Sequence, residues 1–433
     1  MQNGDYNYIL QGVYRARLTS QKLKALAAAF PVVVVTGARQ VGKTTLLRHL
    51  FPSFDYFVFD PAIDLENARK EPDLFLKNHP APLILDEIQY APEIADAVKR
   101  KVDAHGSRPG QYLITGSQQW QVMRSLSESL AGRAAFLDLE GFALPELATD
   151  NAQTGWLQHW LTDPEGYVAA NARKGEYYAT ALWDWLWRGS LPAVQLLPSD
   201  LVPDFWAGYQ RTYIERDARL AGEIQDWQHF GLFIRLTSAL TAQEIHYSHL
   251  GREIGMTPQT ARRWLAVLSG TFQWFEIPAF SGNTIKRVSG KPKGYFADTG
   301  LACYLAQLTT PSSLGGHPLV GALFETAMVH EIRKQDSCSP GGRSAYHHWR
   351  TAGGAEIDLL LQRDGRIFPF EVKMTANPTR RDASGIVAFR NAYPNLKIGK
   401  AAILCATERP YWVSDEIAAL PWNLITPSPP ATR

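Results

Sequence analysis

Near the amino terminus, a run of β-branched residues is followed at once by a glycine-rich loop. Pro31–Thr36 reads PVVVVT, which predicts a strand buried in a parallel sheet. The loop GARQVGKT comes next and leads into the helical pattern TLLRHL. Strand, glycine loop and helix in this order predict a P-loop, whose backbone N–H groups surround the β-phosphate of a nucleotide. The predicted nucleotide-binding residues are Gly37, Ala38, Arg39, Gln40, Val41, Gly42, Lys43, Thr44 and Thr45.

A second apolar run, PLILDEIQ at Pro82–Gln89, ends in two acids. In a P-loop site Lys43 would contact the β- and γ-phosphates of ATP, and the Thr44 hydroxyl would reach Mg²⁺. We expect Asp86 to join the Mg²⁺ shell and Glu87 to orient or deprotonate the attacking water, because the carboxyl ends of parallel strands share one edge. The alternative is that both acids only cap the next helix. Two strand-end signals at this separation favour the ATP site.

A third run, QYLITGSQQ, ends in polar residues, among them Thr115, Ser117 and Gln118. This tip would lie beside the γ-phosphate, and the pattern resembles the sensor strand of AAA-type ATPases, with Ser117 as a catalytic contact. The following stretch SLAGRA presents Arg133. An arginine here could act as a finger on the γ-phosphate of a neighbouring subunit, which implies a homo-oligomer. An ordinary surface arginine is the alternative.

The alternating strand and helix patterns predict an α/β fold, a doubly wound parallel sheet over residues 1–145. A chain of 433 residues suits about two to four domains. Its 44 basic and 42 acidic residues nearly balance, so a nucleic-acid footprint must be a local patch. The cysteines, Cys303, Cys338 and Cys405, form no Cys-x-x-Cys pair, and no apolar run has signal-peptide or membrane-span length. We therefore expect a cytoplasmic protein without a membrane partner.

Residues 146–229 turn helical and strongly aromatic, which predicts a helical lid or connector. Trp183, Trp185 and Trp187 alternate, and alternation by itself would indicate a strand. Tryptophans in such numbers could stack on nucleic-acid bases. Packing in a helical core is the favoured interpretation, so none of them is assigned to a site.

A helix-turn-helix is predicted within residues 230–310, at Leu250–Leu268. Gly255 ends the first helix, Thr257 is the N-cap of the second, and Pro258 occupies its first position. A basic hairpin follows, which would act as the wing of a winged helix. The alternative is a motif used only for packing between domains. The predicted DNA contacts are Gln259, Arg262, Arg263, Lys286, Arg287, Lys291 and Lys293.

Residues 311–433 carry the pattern helix, three strands, helix, strand, which is the element order of the PD-(D/E)XK nuclease core. Asp358, Glu371 and the Val372 carbonyl would hold Mg²⁺, with Glu325 in the outer shell. Lys373 would orient or activate the attacking water. A surface hairpin with charged outer faces is the alternative, and a retained nuclease fold need not cut. His347 and His348 are expected to be a solvated pair.

Nearly the whole chain resembles a prokaryotic group of AAA-family P-loop ATPases with a C-terminal PD-(D/E)XK nuclease-like domain. The resemblance implies an ATPase that uses Mg²⁺ and acts on DNA, and branched DNA is among the expected partners. Asp217 and Asp298 belong to the matching stretches but have no derived chemistry, so they are expected to cap helices or form salt bridges. The stretches are GARQVGKTTLL, LILDEIQ, LITGSQQ, SLAGR, RTYIERDAR, TPQTARRWL, KPKGYFADTGL, LFETAMVHEI, AEIDLLL and FEVK.

The predicted function is ATP hydrolysis coupled to work on DNA, with a C-terminal domain that cleaves phosphodiesters if its metal site is active. One alternative is a DNA-remodelling translocase or regulatory switch whose nuclease fold is silent. Another is an ATPase that handles protein partners, with the helix-turn-helix used for internal packing.

Overall fold

The computed structural model describes residues 14–60, 65–104, 106–116, 126, 128–148, 155–174, 176–177, 181–214, 224, 226–282, 290–339 and 344–425. Several predicted residues, Ser117, Gln118, Asp217, Lys286 and Arg287, lie outside these ranges. Within them, no helix is long and apolar enough to cross a lipid bilayer.

The amino-terminal domain is built on a five-stranded sheet in the order β2-β3-β4-β1-β5, and every neighbouring pair is parallel. The predicted parallel α/β architecture is confirmed. All five residues of the VVVVT strand are buried, and the strand lies between β4 and β5. The elements are α1 Ser20–Ala29, β1 Val32–Thr36, α2 Lys43–Leu50, β2 Asp55–Val58, α3 Glu66–Lys70, α4 Pro72–Asn78, β3 Leu83–Asp86, α5 Ile94–Ala104, β4 Tyr112–Gly116, β5 Ala134–Asp138 and α6 Leu144–Ala148.

The aromatic middle segment is mainly helical, as predicted. Trp185 and Trp187 are buried on one helix, not on a strand. They face different neighbours: Trp185 stacks on Trp422, with ring centroids 4.9 Å apart, and the Trp187 indole donates to the Leu308 carbonyl at 2.9 Å. Core packing of the tryptophans is thus confirmed. The elements are α7 Trp156–Thr162, α8 Pro164–Lys174, β6 Glu176–Tyr177, α9 Leu182–Arg188, α10 Pro192–Gln195 and α11 Val202–Tyr209.

The next module contains the two predicted helices and a three-stranded antiparallel sheet in the order β7-β9-β8. The Thr257 hydroxyl accepts a hydrogen bond from the Thr260 N–H at 3.1 Å, which confirms the N-cap. Asp298 caps the last helix and also accepts from the Ser190 N–H at 2.8 Å. The elements are α12 Trp227–Ala239, β7 Gln243–Glu244, α13 Tyr247–Glu253, α14 Pro258–Gly270, β8 Trp274–Ile277, β9 Lys293–Phe296 and α15 Thr299–Leu305.

The carboxy-terminal domain is a six-stranded mixed sheet in the order β10-β11-β12-β13-β15-β14. Its first six elements follow the predicted order, whereas β14 and β15 were not predicted. Strand β16 leaves this sheet and pairs with β6 of the middle segment. The elements are α16 Val320–Cys338, β10 Ala345–Arg350, β11 Glu356–Arg363, β12 Arg366–Lys373, α17 Ser384–Ala392, β13 Ala401–Cys405, β14 Tyr411–Ser414, β15 Ile417–Pro421 and β16 Leu424–Ile425.

Helix α16 joins the parts of the molecule through buried polar side chains. The Glu331 carboxylate accepts from the Leu144 N–H at 3.0 Å, and the Lys334 ammonium donates to the Phe142 carbonyl at 3.0 Å. Burial raises the pKa of Glu331 to about 7. The helix therefore carries a titratable group where the amino-terminal domain is attached.

We predict that Glu331→Gln becomes relatively more stable as the pH rises. The pKa of Glu331 is about 7 in the folded protein against 4.5 for an ordinary glutamate, so unfolding releases its proton between these pH values. Stability that the protonated group contributes is lost as the pH rises through this window, by at most about 3 kcal/mol, and glutamine does not titrate.

Melting temperatures from pH 4.5 to 8 test this. The difference between variant and wild type should grow with pH. Glu165→Gln is the control, because that side chain is 73% exposed. A difference that does not change with pH would contradict the prediction.

Candidate functional site

The loop between β1 and α2 has the backbone of a phosphate-binding loop. Gly37 and Gly42 adopt φ values of 146° and 93°, which side chains rarely permit. A Cβ on Gly37 would lie 2.1 Å from the Leu139 carbonyl oxygen. The Lys43 ammonium donates to the Gly37 and Ala38 carbonyls at 3.0 Å each. The loop therefore brings Lys43 and the first amides of α2 to the same place.

Asp86 connects the ends of three strands. Its carboxylate accepts from the Thr44 hydroxyl at 2.7 Å, from the Tyr56 hydroxyl at 2.7 Å, and from the Thr115 hydroxyl. Thr44 lies in the first turn of the P-loop helix, Asp86 ends β3, and Thr115 lies on β4 between β1 and β3. Burial and the Asp86 charge raise the pKa of Tyr56, which remains a donor. The predicted convergence of Thr44, Asp86 and the third strand is thus present in the structure.

Glu87 follows Asp86 in a left-handed backbone conformation, with φ 60° and ψ 48°. This geometry is uncommon for a residue other than glycine. The Thr115 hydroxyl contacts the Glu87 N–H at 3.1 Å. The Glu87 carboxylate contacts the Gln89 amide and lies 4.0 Å from the Arg39 guanidinium. Glu87 is therefore directed to the P-loop edge of the sheet, beside the other predicted residues.

A cavity of about 310 Å³ adjoins the P-loop. Ala38 and Val41 of the loop form one side, and Trp206 and Tyr209 of α11 form another. The Tyr209 hydroxyl donates to the Arg39 carbonyl at 3.3 Å. This volume falls within the range of small-molecule sites. Sequence reasoning missed the cavity, because residues far apart in the chain form it.

Charged side chains of α16 reach the same cavity. His330 and Arg333 lie 3.4 Å and 3.6 Å from the Glu140 carboxylate. Burial opposes ionisation of Glu140, but the Arg333 and His330 interactions outweigh it and lower its pKa to about 2. Among the described residues, neither ring nitrogen of buried His330 makes a hydrogen bond. The carboxy-terminal domain thus contributes polar groups close to the P-loop.

Arg133 lies near the amino-terminal ends of the strands, whereas the P-loop of its own chain follows the carboxyl end of β1. It precedes β5, whose first residue, Ala134, pairs with Val32 at the start of β1. Its guanidinium makes two hydrogen bonds to Asp103, at 2.5 Å and 3.0 Å. Action on a neighbouring subunit stays a prediction.

The outward residues of α14, Gln259, Arg262 and Arg263, are exposed as predicted. The Arg262 guanidinium lies 5.7 Å from the Tyr247 ring. Lys291 is exposed too, just before β9. These positions are accessible, whereas contact with DNA stays a prediction.

The carboxy-terminal domain brings together the acids predicted there as metal ligands, but two lysines lie among them. The Asp358 carboxylate is 3.0 Å from the Lys293 ammonium and 3.9 Å from that of Lys373. Glu325 is 2.5 Å from Lys293, and Glu371 is 2.5 Å from Lys373. In the described part of the chain, no three His, Cys, Asp or Glu side chains are arranged to hold a metal ion. The predicted open metal site is therefore not found in this conformation.

Two further expectations need correction, and a third stays a prediction. Lys293 is 9% exposed and paired with two carboxylates, so it is not accessible to DNA. The Val372 N–H donates to Asp358 at 2.9 Å, whereas metal binding by its carbonyl stays a prediction. His348 is buried and its Nε2 lies 2.9 Å from the Lys291 carbonyl, so the histidines are not a solvated pair.

Buried charges perturb the pKa values in this cluster. Burial and the Asp358 charge raise the pKa of Glu325 to about 8, and the same two causes raise that of Glu371. Burial would also raise the pKa of Asp358, but the Lys293 and Lys373 ammonium groups lower it overall. The cluster thus holds three carboxylates against two ammonium groups, with Asp358 as the most acidic member.

Comparison with known proteins identifies the amino-terminal domain. Residues 29–148 match the family described as AAA domain. With the P-loop and the parallel sheet already described, this match is decisive. Residues 29–148 form a P-loop ATPase domain of AAA type. Two further families of unknown function match: DUF8612 over residues 179–312 and DUF4143 over residues 320–425. The exact domain boundaries of the chain stay predictions.

Two curated relatives, each named as an uncharacterized protein, come from Mycobacterium bovis and Mycobacterium tuberculosis. Each is 27% identical over 421 residues, which is 94% of this chain and 84% of the relative. The Walker-type ATPase of Pyrococcus abyssi has 14% identity and a TM-score of 0.39, covering 69% of this chain and 99% of that one. The Holliday junction branch migration motor RuvB of Thermotoga maritima has 13% identity and a TM-score of 0.31, covering 65% and 99%.

We predict that Gly37→Ala weakens nucleotide binding at least tenfold. The new methyl group would lie 2.1 Å from the Leu139 carbonyl oxygen, at a φ of 146°, so the loop must shift. Gly231→Ala is the matched control, because it lies in α12 with no atom within 4 Å of the added Cβ. Titration with a fluorescent ATP analogue should show at least a tenfold loss for the first variant only. Equal affinity of both variants would contradict the assigned loop geometry.

Proposed function

We propose that the protein hydrolyses ATP with Mg²⁺ and uses the resulting rearrangement to act on DNA. The contact of Asp86 with the hydroxyls of Thr44 and Thr115 supports ATP hydrolysis, because it joins the P-loop helix to the ends of β3 and β4. The match of residues 29–148 to the AAA domain family also supports ATP hydrolysis.

The chain offers suitable groups for Mg²⁺ and the phosphates. Thr44 and Asp86 present adjacent oxygen atoms, the donor type that Mg²⁺ prefers, so these two residues would hold it. A bound Mg²⁺ would neutralise negative charge on the phosphates. Lys43 would exchange its two carbonyl contacts for phosphate oxygens, and Glu87 would orient the attacking water and accept its proton.

The cavity beside Ala38 and Val41 would hold the nucleoside of ATP. Its position against the P-loop supports this, because the nucleoside must lie next to the bound phosphates. The aromatic rings of Trp206 and Tyr209 would pack against the base. Arg133 would complete the site of a neighbouring subunit in a homo-oligomer. Sedimentation that shows only monomers in the presence of ATP would contradict this role of Arg133.

We predict that Lys43→Ala loses ATP binding, whereas Glu87→Gln still binds ATP but turns it over about 10²–10⁴ times more slowly. The lysine contacts the phosphates, whereas the glutamate acts on the water. Affinity by calorimetry and phosphate release under saturating ATP separate the two effects. Glu66→Gln, an exposed change in the same domain, is the control and should behave as wild type. ATPase activity retained by both site variants would refute the mechanism.

Action on DNA is supported by the module at residues 227–305. The elements α12, β7, α13, α14, β8 and β9 come in the order of a winged helix. Gln259, Arg262 and Arg263 are exposed on α14, the second helix of the helix-turn-helix. Such a helix enters the major groove in DNA-binding examples. The rival function is the handling of protein partners, with the module used for packing.

We predict that Arg262→Ala combined with Arg263→Ala weakens duplex DNA binding at least tenfold. The slope of log affinity against log salt concentration should become less steep by about two, because two phosphate contacts are lost. Arg235→Ala, an exposed arginine on α12 of the same module, is the control. Fluorescence anisotropy at several salt concentrations, with duplex and four-way DNA, gives both quantities. No binding by wild type at low salt would favour the protein-handling rival.

Phosphodiester cleavage is a second candidate function. The observation that favours it is the convergence of Glu325, Asp358, Glu371 and Lys373 in the element order of a nuclease core. As the cluster stands it does not fit a divalent cation, because Lys293 lies between two of the acids. A plasmid incubated with Mg²⁺ or Mn²⁺ would show whether cutting occurs, and an uncut plasmid would favour a remodelling ATPase with a silent nuclease fold.

A further inference from the structure

Helix α16 of the carboxy-terminal domain forms one wall of the cavity beside the P-loop. His330 on this helix lines the cavity, and so does Glu140, which follows β5 of the amino-terminal domain. The same helix binds the loop that carries Glu140, because the Lys334 ammonium donates to the Phe142 carbonyl at 3.0 Å. His330 and Glu140 therefore meet where two domains and the cavity adjoin.

Buried polar atoms of His330 and Glu140 make no hydrogen bond within the described part of the chain. His330 is 6% exposed, and neither of its ring nitrogens is hydrogen-bonded. Its Nδ1 lies 3.4 Å from Oε2 of Glu140, but this contact lacks the geometry of a hydrogen bond, and the buried Oε2 accepts none. Unpaired buried polar atoms are costly. A ligand that forms hydrogen bonds with these atoms would offset that cost.

The two side chains offer hydrogen bonds of different types. Burial lowers the pKa of His330, although the Glu140 carboxylate opposes this shift. A neutral imidazole has one donor nitrogen and one acceptor nitrogen. Burial opposes ionisation of Glu140, but the charge of Arg333 contributes to lowering its pKa to about 2, so its oxygens only accept. A complementary ligand presents an N–H donor next to an acceptor atom.

We propose that Glu140 and His330 bind the polar edge of adenine, so that helix α16 of the carboxy-terminal domain completes the ATP site. This inference rests on the proposed ATPase function. Glu140 accepts from the 6-amino group, and His330 donates to N1 or N7, the ring nitrogens on either side of that group. Guanine carries a carbonyl oxygen at position 6, which would face the ionised Glu140. The site therefore selects ATP over GTP through a residue outside the ATPase domain.

Neighbouring side chains hold this pair in place. The Arg333 guanidinium lies 3.6 Å from Oε1 of Glu140 and 3.7 Å from the centroid of the Phe275 ring. The His330 ring packs edge-on against the same phenyl ring, with centroids 4.5 Å apart. Phe275 itself lines the cavity. Because both polar groups are held by neighbours, the base can bind without much loss of side-chain freedom.

Binding of ATP analogues to the full-length chain tests the proposal, with affinities measured by calorimetry. Purine riboside triphosphate lacks the 6-amino group, and 1-deaza-ATP and 7-deaza-ATP each lack one ring nitrogen of the same edge. The variants are Glu140→Leu, Glu140→Gln and His330→Phe. Glu165→Leu is the matched control, because that side chain is 73% exposed.

Wild type and Glu165→Leu should bind ATP at least tenfold more tightly than purine riboside triphosphate, because the analogue leaves a charged acceptor unpaired. Glu140→Leu should lose this preference, and Glu140→Gln should keep part of it, since the amide oxygen still accepts. A merely structural role of Glu140 would weaken both ligands equally. An unchanged preference in folded Glu140→Leu would therefore overturn the proposal.

His330→Phe tests the second contact. Wild type should bind one of the two deaza analogues at least fivefold less tightly than ATP, because the histidine donor is then left unpaired. The phenylalanine variant should bind that analogue and ATP equally. If the difference persists in the folded variant, His330 does not contact the base.

The wild type alone decides the matter where a variant fails to fold, which circular dichroism establishes. Equal affinity of wild type for ATP, GTP and purine riboside triphosphate would overturn base recognition and leave the ATPase function intact. A wild type that binds none of these nucleotides would refute the ATPase function, and this inference with it.

Discussion

The structure depends on the buried polar side of helix α16. Glu331 and Lys334 bind the backbone of the amino-terminal domain at Leu144 and Phe142, and Gln335 accepts from the Leu157 N–H of the middle segment at 3.0 Å. Further along, Asp336 accepts from the Tyr346 hydroxyl of the carboxy-terminal sheet at 2.5 Å. Buried polar groups must be paired, and these partners come from three parts of the chain. The relative position of the domains is therefore specified by hydrogen bonds and not by apolar packing alone.

The sequence predicted best the features that are encoded locally. The VVVVT run, the glycines of the P-loop and the Thr257–Pro258 helix start each specify their geometry within a few residues, through burial, φ preference and capping. Asp86 could also be predicted, because parallel strands bring their carboxyl ends to one edge of a sheet. The acids Asp358 and Glu371 were predicted from the element order of the nuclease core, and the antiparallel pairing of β11 with β12 brings the start of one strand beside the end of the other. In all these cases short-range rules were sufficient.

The features that the sequence could not predict depend on tertiary contacts. Lys293 belongs to a basic hairpin, so its pattern indicated a solvated lysine, and only the docking of β9 against α16 buries it. The cavity beside the P-loop is formed by segments that are more than a hundred residues apart, such as Val41, Tyr209 and His330. The prediction of a solvated histidine pair was wrong for a similar reason, since the His348 ring contacts the Lys291 carbonyl. The sequence shows that a side chain is charged, but it does not show whether that side chain contacts solvent or another domain.

Helix α16 also connects the two clusters of charge in the molecule. Glu325 lies in the acidic cluster with Lys293, and His330 lies beside the cavity next to the P-loop. Five helical residues separate them, which is about 7.5 Å along the axis. Because both residues lie on one helix, the helical backbone fixes the spacing between the two clusters. The acidic cluster and the cavity beside the P-loop are therefore held in position by the same helix.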